Sequence, residues 1–276
     1  MAAGDIFDKE EGGFYRYSTQ QDWSLPHYEK LLDDNSRLLK IYLVAYSLTK
    51  IEKFKEVSLK IMDFILNNFL DKKGFFYASQ DADEEYARLS LNQRKKTKAP
   101  FIDKTLFMDF NCYAIDSFIT ASRILNDENY KKIATKALEF LIKNLKNKKG
   151  VMHFYDNKAH DPYLLKNHLL LINSLIEVDK LKIAEGLLNK TIDNFSDKEG
   201  ILLDIKKSKN DFGYLKTSRI DPEENSLAIK ILLKLYQKTR NKKYLKLAEN
   251  LIKVIKDYVD PESIFSASFT EVIFKN

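Results

Sequence analysis

Along most of the chain, apolar side chains return every three or four positions. From residue 28, Tyr28, Leu31, Leu32, Asn35, Leu38, Leu39, Tyr42 and Tyr46 keep a period of about 3.6 residues, which predicts one long helix over 28–49. A second helix is predicted over 52–70, with Phe54, Val57, Ile61, Phe64, Ile65 and Phe69 on one face. The same reading gives further pairs at 104–125 with 128–146, 162–178 with 181–195, and 222–239 with 243–258. Asp161-Pro162 and Asp221-Pro222 each read as an acidic cap followed by a proline in the first helical position.

Between the pairs a phrase recurs: Asp or Asn, lysine- or glutamate-rich residues, glycine, then an apolar or aromatic run. It is Asp8-Lys9-Glu10-Glu11-Gly12-Gly13-Phe14-Tyr15, then Asp71-Lys72-Lys73-Gly74-Phe75-Phe76-Tyr77. It returns as Asn147-Lys148-Lys149-Gly150-Val151-Met152 and Asp197-Lys198-Glu199-Gly200-Ile201-Leu202. With only 8 glycines in the chain, this placement marks joints. The polar half suits a helix C-terminus and turn, and the apolar half a short strand-like extension. The expected fold class is therefore all-α, a stack of helical hairpins with short extensions in the loops, formed by residues 1–276 as a single domain on which an extended segment, 1–25, packs. The first phrase precedes any hairpin, so the chain reads as starting just past a hairpin that it does not contain. Residues 80–103 are surplus to the repeat and are a functional-loop candidate.

A hydrophobic share of 44% over 276 residues supplies a sizeable core. The net charge of +6 comes from lysines scattered among acids. Only Arg94–Lys98 forms a basic run, which speaks against nucleic acid as a partner. The single cysteine, Cys112, excludes an intrachain disulfide and a thiolate zinc site, and fits a cytoplasmic setting. Residues 1–11 lack the apolar stretch of a signal peptide, and no run of about 18 apolar residues predicts a membrane span.

The densest polar and aromatic stretch is 12–35, GGFYRYSTQQDWSLPHYEKLLDDN. On a helix, His27, Lys30 or Leu31, and Asp34 share a stripe, and Lys30 and Asp34 can pair. His27 and Glu29 share a face only if the chain is extended there. A plain helix start, with acids at the positive dipole end, accounts for the same residues. The second stretch is 75–85, FFYASQDADEE, where Asp81 and Asp83 alternate. In an extended segment they form a carboxylate pair suited to acid–base work on a glycosidic bond or to gripping hydroxyls; a solvated acidic loop is the simpler reading. Asp103, Asp109 and Asn111 form a third group, although a helix cannot aim both Asp109 and Asn111 inward. Asn167, His168 and Asn225 read as caps or satisfied core groups. His153 and His160 lack ligand spacing, so no metal is expected, and no phosphate loop or nucleophile elbow is present to suggest a cofactor.

The two long stretches carry a resemblance. GGFYRYSTQQDWSLPHYEKLLDDN and GFFYASQDADEE are similar to segments of the thioredoxin-domain-containing family typified by spermatogenesis-associated protein 20, with IDKTLFMDFNCYAI and ENSLAIKILLKL as weaker matches. That family's C-terminal region is similar to the six-hairpin (α/α) toroids of glycosidases and N-acylglucosamine 2-epimerases. The resemblance implies an incomplete toroid, about four of six hairpins without the thioredoxin-like domain. It implies a polar funnel in which His27, Glu29, Asp34, Asp81 and Asp83 are catalytic candidates, and Arg16, Tyr17, Trp23, Tyr77, Gln80, Asp109 and Asn111 are substrate-binding ones. A sugar is the implied ligand, handled by glycosidase-like or epimerase-like chemistry. The alternative is a non-catalytic subunit that covers its flanks by forming a homo-oligomer or joining a separately encoded complement. A third reading is a fold retained without activity, motivated by Asp33 and Asn167, which depart from the family pattern.

Overall fold

The computed structural model describes residues 1–206, 213–260, 262–263 and 266–274. Their contacts divide into two compact units, Met1–Asn144 with Phe154–Ala159, and Leu145–His153 with His160–Asn276.

The first unit opens with three short strands, β1 (Tyr17–Ser18), β2 (Pro26–His27) and β3 (Lys30–Leu31), and the hairpin of α1 (Leu32–Thr49) and α2 (Glu52–Asn68). Next come β4 (Ser79–Gln80), two single-turn helices, α3 (Glu84–Ala87) and α4 (Leu91–Arg94), and strands β5 (Ile102–Asp103) and β6 (Leu106–Phe107). The second hairpin is α5 (Met108–Leu125) with α6 (Glu128–Leu145), and β7 (Phe154–Tyr155) pairs with β6. Helix α1 packs on α2 and α5, and Leu32, Leu39, Leu43, Ile61, Phe64 and Phe118 are fully buried around that seam. The second unit holds the hairpins α7 (Leu165–Glu177) with α8 (Leu181–Phe195) and α9 (Pro222–Thr239) with α10 (Lys242–Ile255), then α11 (Ala267–Phe274). Within it α7 packs on α8 and α9, and α11 on α9.

The paired helices stand where the periodicity places them, but three begin late. Helix α1 starts at Leu32 rather than 28, α5 at Met108 rather than 104, and α7 at Leu165 rather than 162. In each case the preceding residues are drawn into pairing: β3 with β4, β6 with β7, and Leu164 with Ile205. Pro162 therefore lies ahead of its helix, and Asp161 is not its cap. Asp221 and Pro222 do behave as read, with the Asp221 carboxylate accepting from the N–H groups of Glu223 and Glu224. The Lys30–Asp34 pairing and the His27–Lys30–Asp34 stripe are not formed, because residues 26–31 are extended.

The recurring phrase has one physical explanation. In all four copies the leading Asp8, Asp71, Asn147 or Asp197 accepts, through its side chain, the N–H two residues on, closing an Asx turn. The turn is the tip of a small hairpin bridged at Phe7–Phe14, Leu70–Phe76, Lys146–Val151 and Ser196–Leu202. The glycine thus turns a hairpin tip rather than capping the helix. At Gly12 φ is +81°, and a Cβ would sit 2.2 Å from the Lys60 carbonyl oxygen, so a side chain is excluded twice over.

The extension after each glycine is then seized by the first helix of the next hairpin. The Asn35 amide accepts from Phe14 N–H at 2.6 Å and donates to Phe14 O and Leu31 O, both at 2.9 Å. Asn111 does the same to Phe76 and Phe107, and Asn225 to Leu202 and Asp221. In the remaining repeat His168 takes the part: its Nε2 accepts from Val151 N–H at 2.9 Å, and its Nδ1 donates to Leu164 O at 2.7 Å. Each clamp residue is fully buried and is the fourth residue of its helix. It satisfies backbone groups that would otherwise be desolvated without partners.

Burial, the largest influence, pushes the His168 pKa from 6.5 down to about 4, and Lys206 and Lys190 push the same way. The unfolded chain binds a proton there more readily than the folded one between those values. The stability from a neutral His168 is full above about pH 6.5 and is lost as pH falls towards 4. Urea unfolding from pH 7 to pH 4 is expected to show about 3 kcal/mol of loss from this group, and His168→Asn, which installs the clamp of the other repeats, is expected to remove that component.

Candidate functional site

The first unit contains a buried ionic knot at the root of its polar stretch. Lys30 Nζ lies 2.7 Å from Asp8 Oδ2 and donates to Gly12 O at 2.8 Å. Arg94 Nη1 donates to the same Asp8 oxygen at 2.6 Å and to Glu11 at 3.0 Å, while its other nitrogens donate to the Leu89 and Ala87 carbonyls. Tyr86 completes the knot by donating to Glu11 at 2.9 Å. Lys30, Asp8 and Arg94 are 1%, 4% and 3% exposed. Burial favours neutral Asp8, but Lys30 and then Arg94 outweigh it and hold the carboxyl below its usual range. Burial pushes Lys30 down. Burial and Glu11 push the Tyr86 hydroxyl up to about 12. The 80–103 segment is therefore pinned by Arg94, the first residue of what the sequence presents as a solvated basic run.

Above this knot the extended backbone sets out a polar cluster. Strand β1 pairs with β2, placing Tyr17 opposite His27, and the two rings stack at 4.9 Å between centroids. Arg16 Nη1 donates to Glu29 Oε2 at 2.8 Å, and His27 Nδ1 lies 3.9 Å from that same oxygen, with no hydrogen-bond partner among the described residues. Glu29 and His27 share a face because the segment is extended. Asp34, in the first turn of α1, is half-buried, and its pKa is raised, by burial first and the Asp33 charge second, against the pull of Arg37 and Arg16. The cluster thus sets a guanidinium–carboxylate pair beside a carboxyl biased towards keeping its proton.

Strand β4 lies between β3 and β5, with Gln80 opposite Lys30. This register brings the second stretch against the first, and the next residues outward are Glu29 and Asp81. Gln80 is buried and Asp81 exposed. Asp83 accepts from Tyr86 N–H and caps α3, so one member of the alternating Asp81 and Asp83 is engaged at a helix start. Tyr77 turns away: it donates to Asp71 at 2.6 Å on the wall of a separate cavity of about 310 Å³ with Asp103, Lys104 and Tyr155. Burial and Asp71 push its hydroxyl up to about 12. Trp23 sits on a turn with its side chain well exposed, and Asp109 is buried in the first turn of α5. Asn111 is a clamp, with its amide committed to backbone.

The clamp register also reveals positions that the sequence reading passes over. Residues one and two before each clamp are Asp34 and Asp33, Phe110 and Asp109, Asn167 and Lys166, and Glu224 and Glu223. Lys166, Glu223 and Glu224 go unnoticed without it, as do Asp8, Lys30 and Arg94. Aligning the four helices on their clamp residues supplies the missing signal for the first three.

The class of fold follows from solved structures. The chain superposes on a D-mannose isomerase with a TM-score of 0.72 and 14% identity, covering 94% of this chain and 68% of that one. It superposes on a family 76 α-mannanase of Bacteroides thetaiotaomicron with 0.68 and 18%, covering 92% and 70%. For a cellobiose 2-epimerase from Spirochaeta thermophila the values are 0.60 and 13%, covering 93% and 81%. At such identities the likeness defines a fold, that of (α/α) toroids, as the motifs imply.

Sequence relatives bear out the resemblance. Rat spermatogenesis-associated protein 20 is 39% identical over 83 residues, 30% of this chain and 10% of the rat protein. The human protein of that name is 35% identical over 102 residues, 37% of this chain and 13% of its own length. An uncharacterized Caenorhabditis elegans protein is 29% identical over 277 residues, 94% of this chain and 33% of the relative. The matches thus span about a tenth to a third of these relatives. No protein-family model matches the chain.

Removing Arg94 leaves Asp8 and Glu11 short of donors in a buried setting. Arg94→Leu is expected to cost about 3–5 kcal/mol in urea unfolding, whereas Lys95→Ala, on the exposed neighbour, changes stability by under about 0.5 kcal/mol.

Proposed function

We propose that the first unit binds a sugar at the cluster of Arg16, Tyr17, His27, Glu29 and Asp34 and carries out acid–base chemistry on it. The observation that carries this reading is the contrast between two nearby carboxyls. Glu29 is paired with a guanidinium, while Asp34 is pushed towards its protonated form by burial and by Asp33. Acid–base catalysis needs one group ready to give a proton and another ready to take one. The exposed Tyr17 ring, backed by His27, offers an apolar face for a pyranose. Gln80 stands on the adjoining strand with Asp81 just beyond its end, and Trp23 and Asp109 are further contacts in this proposal. The named activities of the fold relatives, on mannose, mannan and cellobiose, set the range of sugars to try. Hydrolysis would use the carboxyls as acid and base across a glycosidic bond; isomerisation or epimerisation would remove a proton beside a carbonyl, with His27 or Glu29 as base.

Calorimetric titration with mannose, glucose, cellobiose and mannobiose is expected to show saturation by at least one sugar, weakened at least tenfold in Arg16→Ala. Deuterium uptake from solvent into the sugar would identify proton abstraction, and new reducing ends would identify hydrolysis. Failure of all four sugars to bind overturns the reading.

A second reading, association with another copy of the chain, is favoured by one observation. Ile41, Val44 and Leu48 form a stripe on α1 that is 61%, 38% and 79% exposed. Light scattering is expected to report a dimer or larger species that Ile41→Lys with Leu48→Lys converts to monomer. A monomeric wild-type chain overturns it.

A further inference from the structure

The recess that Tyr77 lines lies where the Asp71 turn, the link between β5 and β6, and the residues after β7 meet. Its volume of about 310 Å³ is at the lower end of the range for small-molecule sites, roughly 300–1,000 Å³. The residues that line it all belong to the first unit. Three rings supply its apolar surface. Phe75 is buried, and Tyr77 and Tyr155 stand steeply to it, at 78° and 69°, with centroids 5.8 and 6.4 Å away. Phe140 packs on Phe75 at 4.6 Å and on Tyr155 at 5.5 Å, which holds both rings in place. Around the rings stand polar groups that the fold does not use. Asp103 Oδ1 accepts from Thr105 N–H at 2.9 Å, which fixes the carboxylate, while Oδ2 has no hydrogen-bond partner among the described residues. The Tyr155 hydroxyl, the Asn157 amide and the Lys104 ammonium have none there either. Solvent meets these groups, so a ligand can take them over without breaking a contact of the protein.

We propose that this recess is a second carbohydrate site, which holds the ring of an uncharged pyranose with its C–H face on the tyrosines and its hydroxyls on Asp103, Asn157 and Lys104. The mixture of groups selects the ligand. Asp71, Asp103 and Asp156 oppose an anion, and Lys73 and Lys104 oppose a cation. The Lys104 ammonium already lies 5.7 Å from the centre of the Tyr77 ring, where an incoming cation would sit. A hydroxyl both donates and accepts, so a ring that carries several can satisfy carboxylate, amide and ammonium together. The aromatic surface then covers the face of the ring that water solvates poorly. The recess is a holding site, and it stands independently of the acid–base reading of the Arg16 and Glu29 cluster.

Tyrosine ring resonances of the full chain, assigned with Tyr→Phe variants, test this in titrations with methyl α-mannoside and methyl β-glucoside. The controls are mannitol, which has the hydroxyls without the ring, and cyclohexanol, which has a ring without the array of hydroxyls. At least one glycoside is expected to move Tyr77 and Tyr155 saturably at millimolar concentration, at least tenfold more tightly than either control. Asn157→Gly is expected to weaken that binding roughly fivefold, the worth of about one hydrogen bond. Asn157 has a φ of +89°, which glycine adopts freely, so this variant loses the amide and keeps the turn. Arg16→Ala is expected to leave the Tyr155 shifts unchanged. Equal binding of either control, or wild-type affinity in Asn157→Gly, overturns the proposal. So does an absence of Tyr77 and Tyr155 shifts with both glycosides; a Tyr17 shift in that case leaves the reading of the cluster standing.

Discussion

The structure depends on a side chain that holds a backbone. At four joints a helix presents its fourth residue to an apolar extension and satisfies that extension's N–H, and three times its carbonyl as well. Without this partner the buried extension would keep unsatisfied backbone groups, since the hairpin at each joint is closed by an isolated bridge rather than by a continuous ladder. The Asx turn sets the corner, the glycine permits it, and the amide locks it. Hydrophobic packing then fixes helix against helix on either side of a joint whose polar groups are already satisfied.

That account explains what could be read from the sequence. Hairpin pairs were legible because Phe54, Val57, Ile61, Phe64 and Ile65 leave no period but the helical one, and the joints because Asp, Gly and an apolar run recur together. Helix starts were less legible. Tyr28 and Leu31 fit a helical stripe by chance of spacing, but the pairing of Lys30 with Gln80, 50 positions away, draws Leu31 into a strand and leaves Tyr28 ahead of the helix. Lys30 misled for the same reason: beside Asp34 it looks like half of a helical ion pair, yet it closes a buried knot with Asp8. Long-range charge pairs leave no local pattern, so Arg94 read as the start of a solvated run. Asn35, Asn111 and Asn225 each occupy one position of a repeat, and their function is visible only once their backbone partners are known.

The two polar regions differ in kind. Around Asp8, every charge is matched and nearly every donor engaged, which makes the knot a structural anchor for the first unit and for the 80–103 segment. Around Asp34 and Glu29 the matching is incomplete: His27 retains a ring nitrogen without a hydrogen-bond partner among the described residues, the Asp34 pKa is raised, and Tyr17 lies open to solvent. Incomplete satisfaction beside a fully satisfied support is the arrangement expected of a site that completes its hydrogen bonds with a ligand.

The clamp has a corollary for how such a protein can change. The clamp itself uses only the fourth residue of each helix, and the second and third differ from joint to joint: Asp33 and Asp34, Asp109 and Phe110, Lys166 and Asn167, Glu223 and Glu224. Acid, base, amide and aromatic all stand there on the same scaffold. The side chain that shuts each joint is thus a different one from the two that precede it, so those two can be exchanged while the clamp's own hydrogen bonds keep both partners.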